Sequence, residues 1–172
     1  MQNKKIITNL VFLIVLFASA ATVAGIFSTG GSGEYEYRSI RGQTVTIHGD
    51  GLYQDMSADV AIQGIAQDCV TLFIAIPFLL VALYRFRVQS LTGKFLLAGV
   101  LSYFFVTYLF YMNMAMYNVM FLVYVALTGF SFFAFLLTLL SIETDQLPAI
   151  FSEKAPVKFA GGFLILNAII IT

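Results

Sequence analysis

Long runs without charge, separated by short polar stretches, dominate the chain. A membrane-spanning helix needs about 20 mostly apolar residues, rising ~1.5 Å each across ~30 Å of hydrocarbon. Runs of that kind predict spans at about residues 6–27, 69–84, 95–111 and 119–142. A partial span at 157–172 covers only about 21 Å over its apolar part, at ~1.5 Å per residue. That shortfall suggests a piece of a longer protein. The first run follows Lys4 and Lys5 and carries small residues at Ala18, Ser19, Ala20 and Ala21. A cleaved signal peptide therefore competes with a retained helix, although the apolar stretch runs on to Phe27, longer than usual for a signal.

The pattern changes between the first two runs. Residues 34–40 and 43–48 are rich in Tyr, Ile, Val and Thr, with Arg41-Gly42 between them as a two-residue turn. In the second stretch Thr44, Thr46 and His48 alternate with Val45 and Ile47, which predicts a hairpin over 34–48 with one wet face. Gly49-Asp50-Gly51 is a turn signal. From Met56 the spacing of Met56, Val60, Ile62 and Ile65 predicts a short amphipathic helix over 56–66 at the membrane interface. Asp68 then falls at the mouth of the second span, where a carboxylate can cap the first turn. The expected fold is an all-α transmembrane bundle with a small extracytoplasmic β-hairpin inserted between helices 1 and 2, in the 28–68 loop.

Composition agrees with a bilayer. Hydrophobic residues make up 60% and charged residues 10% of the chain, against about 25% charged in a soluble domain. The basic residues orient it. Lys4, Lys5, Arg85, Arg87, Lys94, Lys154 and Lys158 fall on one side, and only Arg38 and Arg41 on the other. The N-terminus is then cytoplasmic and the 28–68 segment outside. The net charge of zero predicts no nucleic-acid partner. The expected partners are the lipid bilayer and another membrane or extracytoplasmic protein.

Candidate chemistry is sparse. His48, Asp50, Asp55 and Asp59 lie near one another in sequence, but one His is too few for zinc and no spacing converges oxygens on a hard cation. A turn with a solvated acidic face accounts for them. Met112, Met114 and Met116 alternate between the third and fourth spans, as soft ligands suited to Cu(I). Packing at helix ends accounts for them without a metal, and is the reading the sequence favours. The lone Cys69 reads as a small helix residue, and the polar residues expected inside the spans are uncharged. Ala126, Gly129, Ser131 and Ala134 allow close helix approach. No phosphate loop, nucleophile elbow or metalloprotease motif occurs, and no cofactor is implied.

Gln43-Thr44-Val45-Thr46-Ile47, the turn His48-Gly49-Asp50-Gly51-Leu52-Tyr53 and the step Gln67-Asp68-Cys69-Val70-Thr71-Leu72 resemble a family of uncharacterised bacterial multi-pass inner-membrane proteins. The resemblance implies a plasma-membrane location and transfers no catalytic residue. The sequence supports a non-enzymatic accessory, sensing or partner-binding component that uses its outer loop. Candidate binding residues are His48, Asp50, Tyr53 and Asp68. The competing readings are a subunit of a small transporter or channel, and a membrane-embedded enzyme or metal-handling protein.

Overall fold

The computed structural model describes residues 2–114, 117–143, 147 and 157–171. The chain forms two units, Met1–Ile142 and Glu143–Thr172. Within the first, four helices are long and apolar enough to cross a membrane. They are α1 (Gln2–Phe27), α2 (Ala58–Arg87), α3 (Leu91–Asn113) and α4 (Phe121–Leu140). The strands β1 (Tyr35–Arg38) and β2 (Thr44–Ile47) form an antiparallel pair between α1 and α2. The second unit holds α5 (Val157–Ile171), a 15-residue apolar helix that covers about 22 Å at ~1.5 Å per residue.

Each spanning helix buries one stripe and leaves the rest for lipid. On α1 the fully buried apolar positions are Ile7, Val11, Ile14, Ala18 and Ala21, at alternating steps of four and three that keep one side inward. The same rhythm buries Leu97, Leu101, Phe104, Tyr108 and Tyr111 on α3, and Tyr124, Leu127, Ser131, Ala134 and Thr138 on α4. Helix α1 packs on α2 and α4, and α3 packs on the same two, so the helices close a ring around an apolar core. The buried hydroxyls of Thr22, Ser131 and Thr138 donate to Ala18, Leu127 and Ala134 of their own helices. The small residues of α4 divide: Ser131 and Ala134 are buried, whereas a Cβ on Gly129 would meet open space.

One end of the bundle is basic. There Lys4 Nζ donates to Arg87 O (2.6 Å), and Lys94 Nζ to Ser141 O (2.6 Å). Both lysines satisfy carbonyls at helix C-termini, where a cation is favoured. Gly93 lets α3 start against α2, since a Cβ there would press on the Arg85 and Phe86 backbone.

The second helix differs from the sequence expectation. An interfacial helix at 56–66 and a separate span at 69–84 are in fact one continuous 30-residue helix. Its ladder passes through a π segment at Thr71–Ala75, just before Pro77. Proline has no N–H to donate back one turn, and widening the ladder to i→i+5 bonding accommodates that loss without breaking the helix. Asp68 accordingly caps nothing: it lies inside α2 and is buried. The expectation that the spans hold only uncharged polar residues is corrected by the same observation.

The hairpin is shorter than expected. Tyr35 pairs with Ile47 and Arg38 with Thr44, and a loop over 39–43 replaces the two-residue turn. Ser39 holds that loop, its N–H donating to Gln43 O and its hydroxyl accepting from Gln43 N.

Candidate functional site

The hairpin end of the bundle carries the most organised polar cluster among the described residues. The Gly49-Asp50-Gly51 turn feeds a short 3-10 helix, Gly51–Tyr53. Gly49 and Gly51 both take positive φ, and a Cβ on Gly51 would collide with Ser28. The turn therefore seats directly on the exit of α1. Gly51 N donates to Gly30 O (2.8 Å), and Leu52 N to Ser28 Oγ (2.7 Å). Asp50 Oδ1 accepts from Gly30 N (2.7 Å).

This seating drives Tyr53 into the bundle, where it is 1% exposed. Its hydroxyl donates to Asp68 Oδ2 at 2.6 Å. Tyr111 Oη, from α3, lies 3.2 Å from both Asp68 Oδ1 and Gly64 O and shares its proton between them. Gly25 on α1 makes the room: a Cβ there would overlap the Asp68 carboxylate and lie 3.1 Å from Tyr53 Oη. The loop, α1, α2 and α3 thus converge on a single carboxylate.

Aromatic rings close the cluster from below. Tyr111 meets Tyr124 edge-on, with centroids 5.2 Å apart, and Tyr108 stacks on Tyr124 at 6.0 Å. Tyr108 Oη is buried and has no hydrogen-bond partner. Burial, and after it the charge of Asp68, push the Tyr53 phenol well above its ordinary range. Tyr53 stays protonated and acts only as a donor. At 2% exposure Asp68 is sealed from solvent, so the arrangement is a clamp that fixes the loop to the bundle.

A second polar group flanks Asp68 on α2, formed by Gln67 and, one turn on from it, Thr71. Gln67 Nε2 donates to Tyr103 Oη (2.6 Å), which lies 2.8 Å from Thr71 Oγ1.

Of the residues singled out from the sequence, Tyr53 and Asp68 come together. His48 and Asp50 do not join them. The half-buried His48 contributes its backbone N–H to Met56 O (2.8 Å), and the exposed Asp50 holds the turn. Met112 and Met114 serve different neighbours. The Met112 thioether accepts from Thr128 Oγ1 on α4 (3.2 Å), while Met114 lines a cavity beside α2. Met116 lies outside the described residues. Among the described residues, no three of His, Cys, Asp and Glu gather as metal ligands do.

Tyr111, Tyr108 and Gly25 escaped the sequence reading. Tyr111 looks like an interfacial aromatic, yet it continues the stripe of Leu97, Leu101 and Phe104, and that periodicity turns it inward. Comparison with protein-family models, with curated proteins and with solved structures finds no match to this chain.

Proposed function

We propose that this multi-pass membrane protein is a non-enzymatic partner-binding component. It lies in a bacterial plasma membrane with its N-terminus inside, and it presents the β1–β2 hairpin outside as its docking surface. The observation that supports this reading is a contrast in exposure. Every residue of β1 is exposed, with Tyr35 and Tyr37 about half so, and Ile40 at the tip is 99% exposed. The segment that follows the hairpin is clamped through Tyr53 and Asp68. A rigidly mounted apolar and aromatic patch spends little entropy on binding, and tyrosines and isolated strand edges suit protein recognition. The basic residues at the opposite end support the orientation, and the resemblance of the Gly-Asp-Gly-Leu-Tyr turn supports the bacterial location.

A transport path through the single chain has less support, because the described core below Asp68 is mostly apolar and the buried hydroxyls of Thr22, Ser131 and Thr138 bond to their own helices.

The test places a photo-crosslinker at Tyr37 in whole cells and isolates the full chain in mild detergent. A discrete crosslinked protein should appear. Combining Tyr35→Ser with Ile40→Ser should abolish it, with no change in melting temperature. A crosslinking pattern indifferent to that double variant would overturn the hairpin's role.

A further inference from the structure

Two cavities lie along the seam between α2 and α3. The one at the hairpin end is about 200 Å³; Val60, Val106, Phe110 and Met114 make most of its lining apolar, and Gln63 and Gln67 add amides on one side. The other is about 370 Å³ and almost wholly apolar, running beside Val70, Ile74, Phe78, Gly99 and Val100 up to Tyr103. Gln67 lines the first, Tyr103 lines the second, and the two side chains are hydrogen-bonded at 2.6 Å. The Gln67–Tyr103 pair therefore stands where a cavity with polar groups on its wall meets an apolar groove. Val70, Ile74 and Phe78 are exposed along it, so it opens outward, where a bilayer supplies acyl chains.

We propose that this seam is a binding site for one lipid with an uncharged, hydroxyl-bearing head, such as a diacylglycerol. The head sits at Gln63 and Gln67, and an acyl chain lies in the groove. Length supports this occupant. From Gln67 to Phe78 the helix covers about 16 Å at ~1.5 Å per residue, and one leaflet is about 15 Å deep, half of ~30 Å. Charge supports it too: no ionisable group other than the phenols of Tyr111 and Tyr103 lines either cavity, so no cation awaits a phosphate. Amide and hydroxyl groups provide donors and acceptors for a neutral head. The groove floor is also open, since a Cβ on Gly99 would meet nothing within 4 Å. Packing inside the bundle does not require a glycine there, and its absent side chain leaves room for a chain. The π segment Thr71–Ala75 forms part of the wall, and such bulges recur at functional sites.

The experiment uses the full chain in phosphatidylcholine nanodiscs doped with dioleoylglycerol, with p-benzoylphenylalanine replacing Ile74. Mass spectrometry of the photolysed protein should show a diacylglycerol adduct well above its share of the bilayer. Gly99→Leu, placed where a Cβ meets open space, should lower that adduct about tenfold with a melting temperature no lower than that of the parent. Gln67→Leu should abolish the preference for diacylglycerol over phosphatidylcholine while adducts of the chain persist. Doping with phosphatidylglycerol should give no enrichment. Adducts in proportion to bilayer composition and insensitive to Gly99→Leu would identify ordinary boundary lipid and overturn the proposal. So would enrichment of phosphatidylglycerol, or crosslinking of position 74 to residues 157–171 of the same chain in place of lipid.

Discussion

Tyr53→Phe removes one oxygen from the clamp and leaves the ring in place. Asp68 then loses its 2.6 Å donor and keeps only the 3.2 Å bond that Tyr111 shares with Gly64 O. A hydrogen bond contributes about 0.5–1.5 kcal/mol net, and a buried acceptor left short of partners costs about 1–3 kcal/mol in desolvation. With Tyr111 compensating in part, about 2 kcal/mol of loop docking should be lost. At ~1.36 kcal/mol per tenfold, that is roughly a thirtyfold rise in the undocked population. The readout is hydrogen exchange at the Gly51 and Leu52 amides, which donate to Gly30 O and Ser28 Oγ. Both should exchange about thirtyfold faster. Tyr108→Phe is the matched control. It deletes an equally buried hydroxyl that has no partner, so it should be neutral or stabilising. Equal costs for the two variants would refute the reasoning, because ring packing and not the hydrogen bond to Asp68 would then hold the loop.

Two further outcomes follow from the same geometry. Gly93→Ala forces a Cβ into the Arg85 and Phe86 backbone, which cannot give way as a side chain could, so the melting temperature in detergent should fall by the equivalent of about 3 kcal/mol. Gly129→Ala enters open space and should gain about 0.5–1 kcal/mol from helix propensity. Raising the pH provides an independent check on the clamp. The Tyr53 phenol is held above its unfolded value, so its contribution to docking is fully present below pH ~10 and weakens above it as the unfolded loop ionises first. Tyr53→Phe should remove that alkaline component of the exchange rates.

The membrane helices were legible because apolar length is a local property. A charge-free run of sufficient length must be satisfied by its own backbone ladder in hydrocarbon, whatever its neighbours do. The hairpin was legible from alternation and turn residues, although its loop proved longer. The continuity of α2 was not. Polar residues at Asp59, Gln63, Gln67 and Asp68 looked like a boundary, and only the tertiary structure supplies the partners that carry a helix past them: Tyr103 for Gln67, and Tyr53 with Tyr111 for Asp68. The placement of Asp68 depends on Gly25, Tyr53 and Tyr111, which lie on separate segments far apart in the chain. No local window holds that information. The sequence by itself determined that this chain builds apolar helices with a polar hairpin between the first two. The packing of the ring decided that an acidic residue expected at a helix mouth is instead the buried point to which the hairpin segment is tied, because only there do two phenols and a missing side chain make room for it.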